Sequence, residues 1–420
     1  MQQQEIYIGF PPLPDKQAII DALLNDPPEV RWRTVRQLFQ IKDIQAREDL
    51  IQSLQPHLKA ADHWCLQYRL HLALQALHRP LNIPGYQLVK GKGAFKVSST
   101  EPLEEQIDPT PFKSPLFPVV DFHIHPKTPD LKFFADMHAA GVTHGVILAT
   151  DTDPEDVERP QVREQLKTAF HRSQASGRLD FEKLLRHIKK SLYSPTHVTN
   201  QDVADWVRDY PDILIGFGSV DLSKDQAYVR RTLDEIARLK LKGLKFLPHS
   251  QFFNPADNQH MPMIFEYCRQ TGSIILSHTG CGPGPFEIIE LSQNAHPSLW
   301  ERWLKKYPQV PLVLAHAGAY STEVPGIWLF DALQLGKTFP NVYIDLAAVD
   351  WLLDREMVIK EIRKTIGFNR VLFATDYPLP LSAGVNWGYI VAKIKANANL
   401  TPKEKHKILG KNAAKLLKLE

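Results

Sequence analysis

The sequence predicts an α/β protein, a (β/α)8 barrel of TIM type preceded by a small all-α helical domain. Three observations carry this expectation. From residue 119 onward, eight short, continuously apolar runs alternate with helical patterns, the mark of strands buried on both faces of a parallel sheet. The fourth to eighth runs start at 243, 273, 312, 342 and 371, at intervals of 30, 39, 30 and 29. These lie near the roughly 31 residues per unit of a barrel of about 250 residues. Near residue 110 the texture breaks, from helical stripes to proline-studded chain. A length of 420 residues accommodates one such barrel and one smaller unit.

Taken in order, residues 1–80 read as a helical domain. Asp26-Pro27-Pro28 is a helix start signal, with Trp32, Val35 and Phe39 on one face behind it. Leu50, Ile51, Leu54 and Leu58 form a second stripe, and Leu66, Leu70, Ala73, Leu74 and Leu77 a third after Asp62. The pairing looks like a degenerate HEAT-type repeat and is a candidate surface for a protein partner; an irregular helical cap carries equal weight. Residues 81–118 lose the helical period and carry Pro84, Gly85, Gly91, Gly93, Pro102, Pro109, Pro111, Pro115 and Pro118. This is a linker composition, with room for a short hairpin around Tyr86 to Val97.

The barrel is expected over residues 119–420. Its runs are Val119 to Phe122, Gly145 to Ala149, Ile213 to Gly218, Gly243 to Leu247, Ser273 to Ser277, Leu312 to Ala315, Val342 to Leu346 and Val371 to Ala374. Between the second and third starts lie 68 residues, of which Glu164 to Tyr193 read as a helical insertion over one end of the barrel. The closing TPKEKHKILGKNAAKLLKL is an amphipathic helix that can seal the domain.

Composition narrows the function classes. Fifty basic against forty-seven acidic residues leave a net charge of +3, evenly interspersed, which argues against nucleic acid or an anionic membrane as partner. The N-terminus lacks a basic and then apolar leader, and no apolar run reaches the roughly 18 residues of a membrane span. Cys65, Cys268 and Cys281 encode neither a disulfide framework nor a zinc module, so a reducing cytoplasm is the expected compartment. A small-molecule substrate is the expected partner, and self-association is left open.

The seventeen histidines are not placed at random. Strands finish as VVDFHIH, IILSHTG, LVLAHAG and LFATDYP, each with His or Asp at its C-terminal edge, where chemistry sits in this fold. His123 and His125 are two apart and share a strand face, and His278, His316 and Asp376 arrive from other strands. Neutral imidazole and carboxylate suit zinc and similar divalent ions. A lone strand-end histidine is usually a surface or hydrogen-bonding residue; the joint pattern points to a metal.

DFHIHP, GLKFLPHSQFFNP, ILSHTG, LAHAGA, ATDYP and KILGKNAAKLLKL together resemble the amidohydrolase-2 branch of the amidohydrolase superfamily over roughly residues 119 to 418. The resemblance implies a distorted barrel of the metallo-dependent hydrolase kind with a divalent metal, usually zinc. His123, His125, His278 and Asp376 would hold it. His316 would be catalytic beside one ion or a ligand of a second, and one ion is favoured. Lys245 would be a carbamate bridging two ions, or an ammonium that orients a substrate anion or pairs with Asp376; the ammonium is preferred. The implied chemistry is hydrolysis of an amide or lactone by activated water, with Asp376 as proton acceptor and His316 steadying the oxyanion. The alternative is decarboxylation of a small carboxylic acid, and a non-catalytic scaffold comes third.

Other residues carry less. His249, Gln251, Phe252 and Phe253 follow strand four and Trp351 follows strand seven, so His249 and Trp351 are candidate substrate contacts. Cys281 reads as a small loop thiol, and Gly280, Gly282 and Gly284 as turn residues. Asp121, two before His123, is expected on the same face, orienting a ligand. His144 and His187 read as incidental.

Overall fold

The computed structural model describes residues 15–25, 38, 44–60, 88–89, 96–97, 118–125, 133–134, 137, 140–172, 180–192, 198–282, 289–321, 324–378 and 387–419. Eight strands form the barrel: β1 Val120–Ile124, β2 His144–Leu148, β3 Leu214–Ser219, β4 Gly243–Phe246, β5 Ile274–Gly280, β6 Leu312–Tyr320, β7 Val342–Asp345 and β8 Val371–Leu372. Each pairs in parallel with its neighbour in sequence, from β1 through to β8. All eight expected runs are strands, and buried positions on both faces explain why they read as unbroken apolar segments.

The ring closes between β8 and β1 by backbone bonds just past the short β8 ladder. Phe122 N–H donates to Phe373 O at 3.0 Å, Asp376 N–H to His123 O at 2.9 Å, and His125 N–H to Tyr377 O at 2.7 Å. β5 and β6 run beyond their expected ends and carry His278 and His316 inside the strands. Phe122 and Phe217 meet edge to face at 5.7 Å in the interior, where Val146, Leu148, Leu276 and Val313 join them. Ala413, Leu416 and Leu417 of the closing segment pack against this cluster, as the sequence expects of a sealing helix. Gly410 lies so close to the first strand that an added Cβ would stand 1.6 Å from Pro118 O.

The helices before the barrel and in its insertion follow their stripes. α1 (Lys16–Asn25) and α2 (Ile44–Ala60) bury Ile19, Ile20 and Leu23, and Leu50 and Leu54. Trp32, Val35, Phe39 and the third stripe lie outside the described residues. Leu88–Val89 pairs antiparallel with Lys96–Val97, where a short hairpin is expected. The insertion after β2 starts with a 3-10 turn, Pro154–Glu158, and continues as α3 (Pro160–Arg172) and α4 (Phe181–Leu192). α3 buries Val162, Leu166 and Phe170, one per turn. α5 (Asn200–Asp209) opens on a capping box from Thr199 and Asp202. No helix among the described residues is long and apolar enough to cross a membrane.

Candidate functional site

His123 stands at the centre of the barrel's C-terminal edge. Its Nδ1–H donates to Asp345 Oδ2 at 2.9 Å, which leaves Nε2 as a lone pair. Around that lone pair gather His125 Nε2 at 3.2 Å, Lys245 Nζ at 2.9 Å and Asp376 Oδ1 at 3.4 Å. His125 Nε2 is 3.9 Å from the same Asp376 oxygen. Ligand atoms of His123, His125 and Asp376 all lie within 4.8 Å of one another, and His123, His316 and Asp345 form a second such set. In the second set Asp345 is already engaged by His123, so the first is the better cradle for an ion.

A neighbouring pair makes the same point. His278 donates Nε2–H to Cys281 O at 3.1 Å, and His316 donates Nδ1–H to Ala347 O at 2.8 Å. The remaining nitrogens, His278 Nδ1 and His316 Nε2, then face each other at 3.1 Å as two lone pairs. Such a contact is repulsive unless a proton or a metal cation lies beside it. Burial pushes His123, His125 and His278 well below the ordinary imidazole range, with Lys245 adding to the shift, and holds His316 down to about 3. Unprotonated imidazoles beside a carboxylate are the donor set a divalent ion requires, so the residues fit the metal the sequence expects.

Burial also acts on the charged members. It lowers Lys245, against the pull of Asp376 and Asp345, and it raises Asp376 and Asp345. The backbone is held in left-handed conformations at His316, φ 60°, and Asp376, φ 65°, where residues other than glycine are uncommon. Such positions cluster at functional sites because surrounding contacts must hold them.

The structure brings His123, His125, His316, Lys245 and Asp376 together. His278 meets this group at His316, with its Nδ1 3.1 Å from His316 Nε2. His249 lies tilted beside His278, with ring centroids 4.3 Å apart. Trp351 is 7% exposed within the main core, with the Arg355 guanidinium 5.5 Å over its ring. Cys281 is buried and forms no disulfide, and its carbonyl accepts from His278.

Asp121 supports His123 as the sequence expects, but through the backbone N–H and not the ring. The pairing register shifts between Asp121 and Ile124, so the two-residue alternation that would align Asp121 with His123 is broken. Its carboxylate accepts from Thr375 N–H and Oγ1–H, the Trp387 indole and the His123 backbone N–H, and so ties β1 to the chain after β8. The residue that orients the His123 ring is Asp345, which sequence reasoning missed. Its signal was a lone acid ending the apolar run VYID, at the same edge as the histidines.

A family model described as Amidohydrolase matches residues 120–419. A relative, 2-amino-3-carboxymuconate-6-semialdehyde decarboxylase of Dictyostelium discoideum, is 24% identical over 255 residues, 53% of this chain and 66% of that protein. The match thus spans just under two thirds of that relative's length. A TIM-barrel protein from Bordetella bronchiseptica superposes with a TM-score of 0.51 at 18% identity, covering 71% of this chain and 98% of that one. A 5-carboxyvanillate decarboxylase from Novosphingobium aromaticivorans, solved with manganese, gives a TM-score of 0.45 at 19% identity, covering 69% and 81%. The barrel and the family match across residues 120–419 agree: the chain belongs to the amidohydrolase family and is an enzyme, a hydrolase or a lyase.

Proposed function

We propose that the chain is a metal-dependent decarboxylase of a small carboxylic acid, with hydrolysis of an amide or lactone as the second reading. The sequence ranks these two in the opposite order. One observation supports the reversal: the relative matched over 255 residues is named a decarboxylase. The donor set serves either chemistry and does not rank them.

His123, His125 and Asp376 would hold one divalent ion, with His278 as fourth donor and zinc as the proposed metal. When bound, such an ion supplies a Lewis acid for substrate oxygens and acidifies water. For Lys245, 2.9 Å from His123 Nε2, the proposed role is an ammonium that orients the substrate carboxylate, in preference to a carbamate that bridges two metals. His316, fixed by Ala347 O, keeps Nε2 free to relay a proton. Loss of carbon dioxide leaves the carbon–carbon electron pair on the substrate carbon, and one proton from water takes its place. His249, beside His278, is the proposed substrate contact; the packing of Trp351 gives it the bulk of the β7 loop to support. Residues 1–80 are proposed as a separable helical module and a protein-docking surface.

The test uses the full chain loaded with zinc or manganese and a panel of aromatic acids in deuterated water. Decarboxylation releases carbon dioxide and leaves one deuterium at the vacated carbon. Turnover of an amide or lactone panel without carbon dioxide release would select the second reading.

A further inference from the structure

Beyond the imidazole cluster, α3 and the loops after β4 and β5 line an open-mouthed chamber of about 1190 Å³. Ordinary small-ligand sites occupy roughly 300–1,000 Å³. Gln161, Gln165, Thr168 and Arg172 line it from α3 at spacings of four, three and four, which stack on one side of a helix. Val162 and Phe170 are buried on the other side. The chamber wall therefore comes from the extra segment between β2 and β3, which start at His144 and Leu214.

His249 connects this chamber to the cluster. It lines the chamber, and its ring lies 4.3 Å from that of His278. Its Nδ1 is buried with no hydrogen-bond partner, a nitrogen that a ligand can satisfy. Gly282 makes room for the ring, since a Cβ there would stand 2.7 Å from His249 Cδ2. The wall is also held in place. Arg159, between the 3-10 turn and α3, donates to Ser223 O at 2.9 Å and Ser223 Oγ at 2.6 Å. Lys224 pairs with Asp156, and Lys189 of α4 reaches Glu155 at 2.7 Å. The chamber is thus a pre-formed one, which keeps the ordering cost of binding low.

Its walls indicate the ligand class. Leu166, Ala169, Phe252 and Leu291 offer carbon, and the α3 amides offer hydrogen bonds. Glu164 and Glu290 outnumber Arg172 on the chamber walls, so the lining does not favour a second anion. We propose that this chamber receives the non-reacting body of the substrate, a bulky aryl or long acyl group, while the carboxyl group lies at the cluster beyond His249. The placement of the carboxyl group rests on the metal-dependent decarboxylase reading; the size preference rests on the chamber alone.

The experiment measures binding of benzoate and of biphenyl-4-carboxylate to the full chain by calorimetry, with and without zinc. The parent should bind the biphenyl acid at least 10-fold more tightly than benzoate. Ala169→Trp and Thr168→Trp, which fill the chamber from α3, should each abolish that advantage and leave the benzoate Kd unchanged. Equal affinities in the parent, no binding of the biphenyl acid, or an advantage that survives in both variants would overturn the chamber. A size preference that is lost in the variants but is the same with and without zinc would uphold the chamber and refute the metal placement of the carboxyl group.

Discussion

Asp345 holds two histidines with one carboxylate: Oδ2 accepts the Nδ1–H of the His123 ring at 2.9 Å, and Oδ1 accepts the backbone N–H of His316 at 2.7 Å. Oδ1 also accepts Ala347 N–H at 3.1 Å, so the last residue of β7 sets both a tautomer and a strained backbone. Carboxylate partners of this kind raise the basicity of a ligand imidazole and fix its orientation. Asp345→Asn is therefore expected to weaken zinc affinity by roughly 10–100-fold. Competition against a calibrated chelator measures it, and an unchanged Kd would remove Asp345 from the account.

Gly410 is where the closing segment meets the first strand. With Pro118 O only 1.6 Å from the ideal Cβ position, a side chain forces backbone to move rather than a flexible tip. Gly410→Ala should destabilise the barrel by about 1–3 kcal/mol, as overpacking does. Urea unfolding of the parent and variant gives the difference directly.

One pH effect on stability lies far from the site. The Arg363 guanidinium holds the Glu404 carboxyl down to about 2, with Nε donating to Oε1 at 2.7 Å. A folded value below the unfolded one means that the pair stabilises above the unfolded value near 4.5 and loses that contribution as pH falls through about 2. Arg363→Ala should destabilise the fold at pH 6 by about 1 kcal/mol once solvent screening is allowed for, read as a lower Tm. The gap to the parent should narrow between pH 4.5 and 2. A gap independent of pH would mean that the packing of Arg363 over Phe368 matters and the charge does not.

Limited proteolysis addresses the division of the chain. Cleavage between residues 80 and 115 should release a fragment that retains the barrel's circular dichroism and cooperative melting. Resistance across that stretch would count against a separable helical module.

Much of the barrel could be read from sequence because buried parallel strands leave a one-dimensional signature, and VVDFHIH, IILSHTG and LVLAHAG end on their functional residues. What escaped depends on contacts remote in the chain. Asp345 and His123 are 222 positions apart, so no spacing rule links them. That Asp121 holds His123 by its backbone N–H and not its ring goes with a register shift that a two-residue period does not show. Trp351 lies on the loop side as expected, yet packing decides that it is covered. That His278 and His316 lie within β5 and β6 and not just past their ends follows from how far these strands extend, which apolar runs did not mark.

The most direct test of the central claim is elemental analysis of the purified full chain beside the His123→Ala, His125→Ala double variant. The arrangement of His123, His125 and Asp376 predicts one divalent ion per chain in the parent and none in the variant, with far-ultraviolet circular dichroism unchanged. Equal metal content in the folded variant, or a parent that binds no divalent ion, would contradict it.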